Sequence, residues 1–243
     1  MITQLITWLN GISAFTLYVL VWTFFILSII YYRKTKAHTF VTCMLLGFAV
    51  GVGWTGIFLS FMSNILFGDN LPWIIYEIHY VTCTAIPLGS LAIIYTAWDV
   101  AGSPNNKKQI LIGFGAFSVV YYIVYFATIF TSWNAIVVSP GLAPDTLYDD
   151  WLDPAFAFYY FMWLEVGFAA AVTGIGFARF MKSTPGALRK KSLYIVIATL
   201  FVGGGILFDL VDFTTFHLYY LWIFRFLVGP GLLLIFYGFK PLK

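Results

Sequence analysis

Arg225 is the one basic residue that lies deep in a long apolar stretch of this chain. The sequence has 13 Lys and Arg residues, and all the others fall in four short clusters. A guanidinium near the middle of a bilayer costs about 2.5 to 3.5 kcal/mol or more unless it is paired or hydrated. We therefore expect Arg225 to meet acidic partners, either in a structural ion pair or at a site that binds an anionic group.

Four carboxylates and a histidine stand in other apolar stretches, in the same half of the predicted bundle as Arg225. Asp209 and Asp212 are three residues apart and share one helix face. Depth pairs Arg225 best with Glu165, and Asp209 is the next candidate because its stretch is adjacent in sequence. Because charged side chains are costly in contact with lipid, we expect these side chains to face the interior of the bundle together. The candidate ligand-binding or ion-pair residues are Glu77, His79, Glu165, Asp209, Asp212 and Arg225.

This cluster has three interpretations. In the first, a structural ion pair holds three helices together. In the second, the cluster forms a polar pocket open to the outside, where Arg225 binds an anionic group or leaves a carboxylate when a ligand arrives. The third is a proton relay, which is disfavoured because the cytoplasmic half of the bundle has no acid before Asp99.

The sequence contains no motif typical of catalysis or of cofactor binding. A haem needs axial ligands at matched depth, but His38 lies in a predicted cytoplasmic loop while His79 and His217 stand near the opposite surface. The last two histidines have no evident third metal ligand. No HExxH, P-loop, serine-nucleophile or paired-cysteine motif occurs. We predict no enzyme activity, no catalytic residues, no metal and no cofactor.

Composition places the chain in lipid. Hydrophobic residues make up 61% and charged residues 9%, which is outside the range of soluble domains. We predict an all-α membrane protein whose residues 1–243 form a single domain, a bundle of seven transmembrane helices. The predicted spans are residues 11–32, 39–62, 73–98, 110–130, 154–180, 192–213 and 217–239.

The basic clusters fix the expected orientation. All four fall on one side of the predicted bundle. The positive-inside rule makes that side cytoplasmic, so the amino terminus is expected outside and the carboxyl terminus inside. The protein should be a multi-pass protein of the cell membrane, with the lipid bilayer as its first partner and no nucleic-acid partner.

The connection Thr131–Asp153 is long for a compact protein. It contains Pro140, Gly141 and Pro144 and ends in an acidic, aromatic run. It is predicted to face outward. It is interpreted either as a lid over a site for a small extracellular ligand or as a solvated loop.

Two segments of the sequence are similar to a known family. The sixth span carries the first similarity, in Leu188–Asp212, with a basic start and an apolar run that ends in acids. The third span carries the second, in Tyr80, Ile86, Pro87, Leu88, Ile94, Tyr95, Trp98 and Gly102. In these segments, and in its architecture over nearly the whole chain, the sequence resembles the seven-helix amino-terminal sensor domain of membrane histidine kinases. The resemblance implies sensing of a ligand or of membrane state. No kinase domain follows in this sequence, so the output is expected to pass through a separate partner.

The segment Leu227–Leu232 of the last span carries another similarity. It is similar to the part of the final helix of microbial rhodopsins that follows the lysine that carries retinal. Leu227 stands at that lysine position. Since no lysine occurs deep in any span, the resemblance implies a rhodopsin-like architecture without a retinal Schiff base.

These features predict a stand-alone seven-helix receptor or sensor with an outer-facing polar pocket. It would signal to a separate cytoplasmic or membrane protein partner. The first alternative is a non-catalytic integral subunit of a larger membrane complex, in which charges and glycine faces serve packing. The second is an ion channel or transporter. The candidate partner contacts are Arg179, Lys182, Arg189, Lys190 and Lys191.

Overall fold

Long apolar helices make up most of the computed structural model. It describes residues 2–82, 85–102, 106–131, 136–139, 147, 149–152, 154–209 and 215–241. The helices are α1 (Ile2–Thr35), α2 (Thr39–Gly53), α3 (Thr55–Phe67), α4 (Trp73–Thr82), α5 (Ile86–Ala101), α6 (Lys107–Thr131), α7 (Ala157–Ser183), α8 (Gly186–Asp209) and α9 (Thr215–Phe239).

The number of spanning helices differs from the seven expected. Among the described residues, five helices are long and apolar enough to cross a membrane: α1, α6, α7, α8 and α9. Counting α2 and α3 as one broken span gives six. These helices indicate a multi-pass integral membrane protein.

The second and third predicted spans are each divided into two helices. At Trp54, α2 gives way to α3 with a change of axis of 49°. No proline stands there, but Gly51, Gly53 and Gly56 flank the break and weaken the helix. The third span ends as α4 at Thr82 and resumes as α5 at Ile86, with Pro87 in the first turn of α5, a position that proline favours. By contrast, α9 continues as a helix through Pro230.

Among the described residues, six helices form a closed ring. Each helix of the ring contacts the next, in the order α1, α2, α5, α7, α8, α9, and α9 contacts α1. The helix α6 packs outside the ring against α5 and α7. Glycines bring ring helices into close contact. A Cβ placed on Gly51 would lie 3.1 Å from Val21 of α1, and one on Gly205 would lie 2.4 Å from Val228 of α9. The glycine faces are therefore used within the bundle.

The expected loop Thr131–Asp153 contains a hairpin. Strands β1 (Ile136–Ser139) and β2 (Asp149–Leu152) pair antiparallel, with Ile136 opposite Leu152. The hairpin contacts α3 and α4. Leu147, between the strands, is buried in the main hydrophobic core. The segment with Pro140, Gly141 and Pro144 lies outside the described residues.

Candidate functional site

An ion pair joins α8 and α9 inside the ring. Arg225 Nε donates a hydrogen bond to Asp209 Oδ1 at 2.8 Å. The side chains are 2% and 11% exposed, respectively, so the pair is nearly removed from solvent. Pairing offsets part of the cost of burying each charge.

Packing beside the ion pair holds its two helices in register. Phe208 and Phe224 are the residues that immediately precede Asp209 and Arg225, and their rings stack with centroids 4.6 Å apart. One turn before Asp209, Gly205 meets Val228 of α9. Close backbone approach and ring stacking therefore fix the distance between the carboxylate and the guanidinium.

The ion pair forms part of the wall of a cavity inside the ring. The cavity has a volume of about 140 Å³ and is lined by residues of α2, α4, α5, α6, α7, α8 and α9. Along α8 its lining runs from Asp209 to Thr199, which is about 15 Å at 1.5 Å per residue. Most of the lining is aliphatic or aromatic, with Phe158, Met162 and Val202 as examples.

Both interrupted spans border this cavity. Trp54 lines it at the break between α2 and α3, and Ala85 and Ile86 line it where α5 begins. In membrane proteins, irregular backbone is tolerated where it is buried in protein or lines a cavity. The two breaks thus coincide with the place where the bundle encloses space.

Two buried polar groups of the lining have no hydrogen-bond partner among the described residues. They are the indole Nε1 of Trp54 and the Oγ1 of Thr173. Trp54 is 7% exposed and Thr173 is 1% exposed. Thr199, in contrast, donates its hydroxyl to Ile195 O at 2.8 Å. Since buried polar groups are normally satisfied, the first two are groups that a bound molecule can satisfy.

His79 also lines the cavity. Its Nε2 lies 2.9 Å from the backbone O of Val52, close to the break after α2. The contact ties α4 to the end of α2. His79 therefore lines the same cavity as Asp209 and Arg225.

Glu165 lies elsewhere, and the predicted pairing of Arg225 with Glu165 is wrong. Glu165 is fully buried on α7, where its Oε1 lies 3.0 Å from Ser118 Oγ of α6. Its Oε2 has no partner among the described residues. The acid faces the helix outside the ring, so equal depth did not bring it to Arg225. Asp209, the second choice from sequence, is the partner.

The other candidates are only partly described. The backbone of Glu77 lies in α4, but its side chain is outside the described residues, as is that of His217 in α9. Asp212 lies wholly outside them. In the part of the chain that the structure describes, no group of three or more His, Cys, Asp or Glu side chains is placed to hold a metal ion.

The candidate partner contacts lie where α7 turns into α8. Arg179, Lys182, Arg189 and Lys190 are exposed, while Lys191 is half-buried. They form one basic surface at the end of the bundle away from Asp209, because α8 begins at Gly186 and ends at Asp209.

Comparison of the chain with protein-family models, with curated proteins and with solved structures found no match.

Proposed function

We propose that the protein is a seven-helix membrane receptor that binds a small molecule in the cavity headed by Asp209 and Arg225. In this arrangement α2 with α3 forms the second span and α4 with α5 forms the third. The amino terminus is outside, and the cavity is reached from that side. The observation that carries the proposal is a mainly apolar cavity with a buried ion pair and two unpartnered polar groups in its walls.

Signal transmission would use the helices that hold the ion pair. Asp209 stands at one end of α8, and the basic residues Arg189 and Lys190 stand near the other. A ligand that changes the distance between Asp209 and Arg225 would shift α8 against α9 along their close contact at Gly205. The basic surface would present that shift to a separate protein partner.

Interrupted helices around a binding site are also typical of transporters. The breaks beside Trp54 and Ile86 therefore support transport of the same ligand as a second candidate. Uptake of a retained ligand into proteoliposomes would distinguish the two functions, because a receptor binds without accumulation.

Retention of a small molecule tests the proposed function. The full chain is extracted from membranes in mild detergent, and copurifying small molecules are identified by mass spectrometry. Ala169→Phe fills the cavity, since Ala169 is buried in its lining. Ala171→Phe is the matched control, because it adds the same volume at an exposed position on the same helix.

We expect the wild type and Ala171→Phe to retain the same molecule and Ala169→Phe to lose it. Equal retention by all three proteins would contradict a site in this cavity. A stoichiometric membrane protein partner, with no retained small molecule, would instead support the interpretation as a subunit of a complex.

A further inference from the structure

The cavity has a head and a body of different chemistry. At the head, a carboxylate and a guanidinium meet, from Asp209 and Arg225. The body is built from side chains such as Met162, Val166 and Val202. A ligand that fits both parts has a compact charged group on an apolar chain or ring.

We propose that the ligand is a small amino acid with an apolar side chain, bound as a zwitterion. Its ammonium pairs with Asp209 and its carboxylate with Arg225, so that the head of the ligand enters between the two side chains. This inference rests on the proposed function and names the ligand class of the same cavity.

Charge balance selects the zwitterion. The described lining contains one acid and one guanidinium, so its formal charge is zero with His79 neutral. A simple carboxylate or a simple amine would change the net charge of a nearly solvent-free site by one. Such a change is strongly unfavourable at low dielectric. A zwitterion leaves the net charge unchanged and replaces one ion pair by two.

The geometry of the two side chains suits the same ligand. The planar fork of a guanidinium matches a carboxylate with two parallel hydrogen bonds, and a carboxylate accepts from the compact ammonium group. The indole N–H of Trp54 is a further buried donor in the lining. No described protein group accepts a hydrogen bond from this N–H, so it is available to donate one to a carboxylate oxygen of the ligand.

Volume limits the body of the ligand. An apolar cavity of about 150 Å³ is known to bind benzene, and the cavity here measures about 140 Å³. A leucine-sized side chain fits this space, whereas a long lipid chain does not. Phe158 and Met162 in the lining favour an aliphatic or aromatic body through dispersion contacts.

Calorimetric titration of the full chain in lipid nanodiscs tests the ligand class with four probes. L-leucine carries all three features. 4-Methylpentanoate lacks the ammonium, 3-methylbutylamine lacks the carboxylate, and glycine lacks the apolar body. We expect leucine to bind and each of the other probes to bind at least about 30-fold more weakly, since each loses a desolvated contact.

Asp209→Asn changes the preferred probe. It removes the partner of the ammonium and leaves Arg225 for a simple carboxylate, so 4-methylpentanoate should now bind more tightly than leucine. A merely structural role of Asp209 would weaken both probes without reversing their order. Should this variant not fold, Trp54→Phe tests the other end of the zwitterion, the carboxylate. It should weaken leucine and the carboxylate about tenfold but leave the amine unchanged, because a hydrogen bond to a charged group is lost.

The outcomes separate the two proposals. Binding of the carboxylate or the amine as tightly as leucine would overturn the zwitterion and leave the cavity as a ligand site. No binding of any probe, while the wild type still retains a molecule that Ala169→Phe loses, would do the same. No binding together with no retained molecule would overturn the proposed function as well.

Discussion

Asp209 and Glu165 are both acids on long helices of the same ring, yet their surroundings differ. Asp209 faces the centre of the ring, where a guanidinium meets it at 2.8 Å beside a cavity. Glu165 faces outward to α6, where the hydroxyl of Ser118 lies 3.0 Å from its Oε1. Of these two buried acids, only Asp209 lies next to both a cation and a cavity. Burial of an acid is therefore common to both positions, and the neighbouring cation and cavity are what distinguish Asp209 as the candidate site.

Arg225→Leu should have the largest effect on stability. It removes the charge that Asp209 faces, and breaking a buried pair typically costs about 3 to 5 kcal/mol. The free energy of unfolding in detergent micelles measures the loss. The double variant Arg225→Leu with Asp209→Leu is the control, and it should recover most of the stability because no charge is left without its partner. A double variant as unstable as the single one would show that the pair is not the cause.

The second prediction compares two adjacent glycines of α8. Gly205→Ala should destabilise by about 1 to 3 kcal/mol, because the new Cβ would lie 2.4 Å from Val228 and 3.2 Å from Phe224 O. Gly204→Ala should be neutral or slightly stabilising, since nothing lies within 4 Å of its Cβ. Thermal unfolding of both variants provides the test. Equal losses would mean that the helix contact is not as close as described.

Glu165→Gln should cost only about 1 kcal/mol. The amide keeps a group that can pair with Ser118, and the described contact involves no cation. Asp209→Asn is the matched change at the other acid, and it should cost several times more because Arg225 keeps its charge. Unfolding free energies for the two variants sharpen the comparison. A larger loss for Glu165→Gln would reverse the roles assigned to the two acids.

The smallest effect is expected at the surface pair of Lys107 and Asp99. The nitrogen and oxygen lie 2.5 Å apart, but the side chains are 24% and 59% exposed. Exposed pairs contribute roughly 0 to 1 kcal/mol and weaken with salt. Asp99→Asn should therefore shift the unfolding temperature very little, and less at high ionic strength. A shift as large as that of Asp209→Asn would contradict the distinction between buried and exposed pairs.

The depth of a charged residue along its span could be predicted from the sequence, but the side of the helix on which its side chain lies could not. Hydropathy placed Arg225, Asp209 and Glu165 at similar depths, and the first two do meet. Whether an acid faces the ring centre or α6 depends on the order of helices in the ring, which hydropathy does not contain. For this reason depth alone selected Glu165 as the first partner.

The two helix breaks also could be predicted from the sequence only in part. Pro87 signalled the interruption of the third span, because proline favours a helix start. The break at Trp54 has no proline, and the glycines beside it, Gly51, Gly53 and Gly56, weaken a helix without determining where it breaks. The cavity and its unpartnered groups at Trp54 and Thr173 arise from packing of several helices, so no local pattern in the sequence could predict them.

Ligand retention in two variants tests the central claim most directly. The double variant Arg225→Leu with Asp209→Leu keeps a balanced charge but removes the head of the cavity, and Glu165→Gln alters the acid outside the ring. Small molecules retained after mild extraction are compared with those of the wild type. We predict that the double variant loses the wild-type molecule and that Glu165→Gln keeps it. Retention by a folded double variant, or loss from Glu165→Gln alone, would contradict a ligand site at Asp209 and Arg225.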